Sequence, residues 1–226
     1  MLTPVQSGTL LVLSAVAAVA VVLGRAWVLR RHARRAAEAA RLEASGSAAS
    51  EDTTRFAEEL QLVDQIINEE TTPDNVFKDL LKAHECLATA QTAMDGNRVP
   101  EAIRKATAAL GEGRYAMSRV QAWLAGRPAP RASAPCFFNP AHGPSTATVR
   151  WTDAHGNEFA VPACAADATR ITAGARPNIR MVPLGDDLVP YWEAGQDYRP
   201  WALGYFEQWR TVATPVDRML TTVTAA

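Results

Sequence analysis

Apolar positions follow three different rhythms along the chain. From Leu2 to Gly24 no side chain is charged. As a helix rising about 1.5 Å per residue, this stretch reaches roughly 34 Å, enough for a hydrocarbon core of about 30 Å. Inside lipid, a helix pairs every backbone N–H and C=O within the segment. Further on, Phe56, Leu60, Val63 and Ile67 recur at three- and four-residue steps and predict a helix over 54–68. Thr72-Pro73 reads as a helix start with Thr as N-cap. Behind it Val76, Phe77, Leu80, Leu81, Leu87, Ala90 and Met94 share a face that ends at Gly96-Asn97. Pro100 restarts the pattern with Ile103, Ala106, Leu110, Tyr115, Met117, Val120, Trp123 and Leu124, and Gly126 and Pro128 stop it. The short turn between these two helices predicts antiparallel packing. Gly111 and Gly113 are expected to weaken the second of them.

After the prolines at 128, 130 and 135 the rhythm changes to alternation. Thr146–Trp151 and Glu158–Pro162 predict two strands joined through Asp153-Ala154-His155-Gly156-Asn157, and a short helix follows from Cys164 to about Gly174. Between the anchor and the helices, residues 36–44 extend the helical pattern, and Ser45-Gly46-Ser47 reads as a flexible joint. The expected fold class is therefore α+β. A transmembrane helix (1–29) is followed by a basic juxtamembrane segment and linker (30–53) and an antiparallel helical hairpin (54–126). A small β-hairpin-plus-helix module with an aromatic tail (127–212) and a frayed C-terminus (213–226) complete it.

Charge adds a direction. The formal net charge is −1, yet residues 1–41 carry six arginines against Glu38, leaving +5 there and −6 on the remainder. Arg25, Trp27, Arg30, Arg31, Arg34 and Arg35 suit a membrane interface. A cleaved signal peptide would carry its positive charges before the apolar run, not after it. The positive-inside rule then puts the soluble part in the cytoplasm. Small residues four apart, Ser14 with Ala18 and Ala20 with Gly24, offer a surface for homodimerisation through the anchor. The acidic remainder argues against nucleic acid as partner.

Candidate chemistry concentrates after residue 135. Cys136-Phe137-Phe138-Asn139 forms a tight-turn candidate, and Cys164-Ala165-Ala166-Asp167 opens the last short helix. This order of knuckle, hairpin and helix resembles a treble-clef or zinc-ribbon module over roughly 40 residues. The resemblance implies a ligand pair in each place, but Asn139 and Asp167 stand where it would put cysteines. Three readings follow. Cys136, Cys164 and Asp167, with His142 as a distant fourth, could hold zinc. Cys136 and Cys164 could form a disulfide if this part is exported. The favoured reading is a metal-free remnant stabilised by Phe137, Phe138, Val149, Trp151, Phe159 and Val161. His142, followed by Gly143-Pro144, reads as a turn residue, His155 as a solvated hairpin tip, and His84 and Cys86 as packing residues.

Tyr191, Trp192, Tyr198, Trp201 and Tyr205 lead an aromatic tail with Phe206 and Trp209. These rings either fold back to complete a small core or offer a surface to a protein partner; the first is preferred because so small a module needs the buried area. The whole pattern, anchor, Ala-rich hairpin, Cys-Phe-Phe-Asn-Pro-x-His-Gly-Pro and Val-Pro-x-Cys, resembles uncharacterised actinobacterial single-pass membrane-anchored proteins, a likeness that implies no activity. The expectation is a membrane-tethered, non-enzymatic scaffold or adaptor for an unknown protein partner. The alternative is a zinc- or redox-responsive sensor built on Cys136 and Cys164, and a hydrolase or transferase using His142 and Asp167 comes last. No cofactor is expected unless zinc occupies the knuckle.

Overall fold

The computed structural model describes residues 4–68, 70–96, 98–154 and 156–209, with side chains from Leu23 onward. The predicted frayed end and His155 lie outside the described residues. So do the side chains of nearly all of Leu2–Gly24, on which the anchor and its dimer surface rest. Among the described residues no helix is long and apolar enough to cross a membrane. Among these residues the architecture is α+β, with five α-helices and two small antiparallel hairpins. Residues 1–40 form one compact unit and 41–226 another.

Helix α1 runs unbroken over Pro4–Asp64. The expected joint at Ser45-Gly46-Ser47 is helical because its small side chains form a packing seam. Ser45 and Gly46 are buried, as are Ala48 and Ala49. Ser45 Oγ accepts the Trp201 backbone N–H at 3.2 Å, and a Cβ on Gly46 would stand 2.8 Å from Arg98 Cδ. Low side-chain bulk serves close approach here rather than flexibility. The predicted stripe holds: Phe56, Leu60 and Val63 are buried and Ile67 packs against them.

Helix α2 spans Asp74–Met94 and α3 spans Pro100–Leu124. Asp79 pairs with Arg119 at 2.8 Å, and Cys86 faces Gly113, so the two run antiparallel. Pro73 rather than Thr72 occupies the N-cap of α2, and Thr72 Oγ1 is buried without a partner. Phe77 and Leu81, expected on the buried face, are exposed. Gly113 marks a crossing rather than a weak point: a Cβ there would lie 2.8 Å from Phe56 Cε1 and 2.9 Å from Cys86 Cβ.

Strands β1 (Ala147–Thr152) and β2 (Glu158–Ala163) form the predicted hairpin, with Val149 opposite Val161. Helix α4 covers Ala165–Thr172. A second hairpin, β3 (Met181–Leu184) with β4 (Asp187–Pro190), has no counterpart in the sequence reading. Its strands are four residues each and largely exposed, so they carry little alternation. Helix α5 (Arg199–Phe206) lies on α3, where Gly204 lets the backbones meet.

The aromatic tail is interior. Tyr191, Trp192, Tyr198, Trp201 and Tyr205 are all at most 4% exposed, so they are not the partner-binding surface considered from sequence. Phe137 stacks on Trp192 at 4.7 Å between centroids. Tyr191, Trp201 and Tyr205 continue edge to face at 5.3 and 5.5 Å, arrangements that complement ring quadrupoles. The series ends on Asp52 of α1, whose Oδ2 accepts Trp201 Nε1–H at 2.8 Å and the Tyr205 hydroxyl at 3.0 Å. Beside it Arg180 donates twice to Glu51, at 2.8 and 3.0 Å. The expected hairpin (54–126) and module (127–212) therefore lie within one compact unit.

Candidate metal centre

The backbone around Cys136 is fixed on three sides. Its N–H donates to Gly143 O at 2.9 Å, the Phe137 N–H to Pro162 O at 2.8 Å, and the Arg180 N–H to Phe138 O at 2.8 Å. Asn139 is no ligand: its Oδ1 accepts the Ala141 N–H at 3.0 Å. That bond caps a 3₁₀ turn over Pro140–His142. The turn carries the chain back and brings the His142 ring to Asp167, 2.9 Å away. Gly143 follows at φ 86°, a left-handed conformation that favours glycine, and reverses the chain.

On the other side, Cys164 is the N-cap residue of α4 and Asp167 lies in its first turn. This spacing brings their side chains together, as for any N-cap and N3 pair. Asp167 Oδ2 is 2.9 Å from His142 Nδ1, 3.4 Å from Cys136 Sγ and 3.5 Å from Cys164 Sγ. Cys164 Sγ is 3.7 Å from His142 Nδ1. One ligand atom from each of the four residues lies within 4.8 Å of the others. With zinc–sulfur near 2.3 Å and zinc–nitrogen or zinc–oxygen near 2.0–2.2 Å, a tetrahedron has edges of about 3.3–3.8 Å. Three of these four separations fall in that range; the His142–Asp167 contact is a hydrogen bond that a central cation would widen.

The second carboxylate oxygen is engaged as well. Asp167 Oδ1 accepts the Asn178 N–H at 2.8 Å and Arg170 Nη1 at 3.0 Å, which aims Oδ2 into the cluster. Such outer contacts orient ligands and tune the metal. Two thiolates and a carboxylate carry three negative charges, a divalent ion returns two, and Arg170 offsets the last.

The four side chains polarise one another. The hydrogen bond from Cys136 is the main reason that the Cys164 thiol is held below its ordinary value, and His142 adds to it against the cost of burial. The same bond, with burial, raises Cys136. Burial opposes both the His142 imidazolium and the Asp167 carboxylate. Cys164 and Asp167 nonetheless raise His142, while Asn178, Arg170 and His142 lower Asp167. Metal ligands must shed protons to bind, and Cys164 and Asp167 are already disposed to do so.

All four residues are candidates in the sequence, with His142 a distant fourth. The turn capped by Asn139 closes that gap. Arg170 and Asn178 were missed; Arg170, three residues after Asp167 on one helix, was the readable signal. Cys136 and Cys164 are both free thiols. The aromatic support expected around them is present, since Phe137 and Phe138 are fully buried and Trp151 packs on both. Elsewhere His84 pairs with Asp64 at 2.9 Å on the surface, and Cys86 is buried, its thiol pushed up to about 11 by burial and Glu112. Arg25, Arg30, Arg31, Arg34 and Arg35 line the exposed N-terminal part of α1, where Arg31 lies over the Trp27 ring at 5.3 Å. No family model, curated protein or solved structure matches this chain.

Proposed function

We propose that the chain is a membrane-tethered, non-enzymatic adaptor whose C-terminal half is held in shape by a structural zinc ion on Cys136, His142, Cys164 and Asp167. The observation that carries this reading is the convergence of four ligand atoms within 4.8 Å, drawn from a knuckle, a 3₁₀ turn and a helix start. Two sulfurs, one imidazole and one carboxylate form a donor set suited to zinc. Four protein ligands close a tetrahedron and leave no position for a reacting water, which favours a structural over a catalytic ion. Tethering is supported by the uncharged run Leu2–Gly24 and the arginines behind it. The exposed Leu23, Trp27, Val28 and Leu29 add to it, because such side chains gain by facing an apolar medium. In this reading the larger unit is held on the cytoplasmic side of a cell membrane for a protein partner.

Elemental analysis of the full chain purified in detergent tests the metal. One zinc per chain, lost in the Cys136→Ala, Cys164→Ala double variant, is expected. A chain that folds fully and carries no zinc after growth in zinc-replete medium overturns it. Carbonate washing of membranes tests the tether, which release of the chain would refute.

A further inference from the structure

Beside the candidate metal centre lies a cleft of about 730 Å³. One wall is the second half of α3 with the prolines that follow it; the other is the knuckle and the start of α4. That volume falls within the range of small-molecule sites. Its charge is one-sided. Arg114, Arg127 and Arg170 line it against one carboxylate outside the metal cluster, Glu59. Glu59 is already taken by Arg114 Nη1 at 2.8 Å. Arg114 is 4% exposed, and its Nε and Nη2 have no hydrogen-bond partner. Arg170 spends one nitrogen on Asp167. Arg127, just beyond α3, is exposed and has no side-chain partner among the described residues. The chain beyond residue 41 carries −6 overall, so this concentration of guanidinium is local.

We propose that this cleft is a binding site for a small ligand bearing an acidic group, a carboxylate or a phosphate. Arg127 and Arg170 hold the acid, and Met117, Pro128 and Pro130 face its apolar part. Planar guanidinium groups match such anions through paired N–H donors. Arg127 and Arg170 are both exposed, so they select the anion through paired donors beside the apolar side chains of the cleft. The site goes beyond the zinc reading but adjoins it: His142 and Cys164 line the cleft and Arg170 bonds Asp167, whereas Arg127 touches no proposed metal ligand.

Calorimetric titration of the full chain in zwitterionic detergent tests the proposal, with zinc content measured in parallel. Succinate probes the carboxylate, phenyl phosphate the phosphate, and succinamide serves as the neutral control. Saturable binding of one of the two acids, with none of succinamide, is expected. Arg127→Gln should weaken it about tenfold or more. Gln121→Trp, at an exposed position on the α3 wall, should block it by filling the cleft. Arg131→Gln, in the same proline segment but outside the cleft, should leave it unchanged. Zinc content should stay constant throughout, so loss of binding and loss of metal are told apart. No saturable binding of either acid up to about 10 mM, or equal weakening by Arg131→Gln, overturns the proposal.

Discussion

His142 Nδ1 stands 2.9 Å from Asp167 Oδ2, although 25 residues separate them along the chain. The imidazole arrives on a 3₁₀ turn and the carboxylate on the first turn of α4. Neither position is dictated by the other, so their meeting is a product of the hairpin that lies between them. Asp167→Ala removes the atom on which Cys136, His142 and Cys164 all converge. Zinc affinity should fall by about 100-fold or more. Asp167→Cys supplies a thiolate in the same place and should retain zinc. Competition with a chromophoric chelator measures both.

Arg170 approaches only the outer oxygen of Asp167. Arg170→Ala should leave the fold intact, as judged by circular dichroism, yet lower zinc affinity about 10- to 100-fold by loosening the carboxylate. An unchanged affinity would assign the ion pair to α4 alone.

Zinc should also shield the cysteines. In the loaded chain neither Cys136 nor Cys164 should react with iodoacetamide. After chelation Cys164, whose thiol its neighbours hold below the ordinary value, should alkylate first, because the thiolate is the nucleophile. Cys136 is fully buried, and Cys86 is buried with its thiol near 11, so both should lag. Peptide mass spectrometry resolves the order.

Gly204 permits the contact between α5 and α3. A Cβ there would overlap Thr107 Oγ1 and stand 2.5 Å from the Arg104 carbonyl oxygen. The neighbour is backbone and does not yield, so Gly204→Ala should destabilise by about 1–3 kcal/mol. Urea unfolding gives the value.

Asp52 sets a pH dependence. Burial raises its carboxyl above the ordinary 3.8, outweighing Arg180, Trp201 and Tyr205. A folded-state value above the unfolded one means that its contribution is fully present below 3.8 and is lost as pH rises through the raised value. Asp52→Asn keeps acceptors for Trp201 and Tyr205 but cannot ionise. Its stability relative to the parent should therefore improve as pH rises from about 4 towards neutrality. Thermal melts across that range read the difference, and a constant offset would exclude the linkage.

The helices were legible because each buries one stripe. Leu60, Ile103, Leu110 and Val120 recur with the helical period and all end in the core. The β1–β2 hairpin was legible from its alternation and its five-residue turn. Ser45-Gly46-Ser47 misled because composition does not distinguish a loose joint from a seam where backbones approach. The candidate site was readable as four residues but not as a constellation: the role of Asn139 is a hydrogen bond to Ala141, which no spacing rule foretells. Asp52 and Arg180 escaped notice because isolated charged residues look like surface until their partners, 149 and 129 positions away, are known.

The rings that join Phe137 to Trp201 and Tyr205, and through them to Asp52, bear on how the chain can be divided. A fragment opening at Arg127 would keep all four candidate ligands. It would also strip α1 and α3 from α5, wetting an indole and a phenol that now rest on the carboxylate of Asp52, far upstream of the cut. Such a piece is no portable bead: excision there should give insoluble protein, whereas trimming to residues 41–209 keeps the acceptor that Trp201 and Tyr205 share.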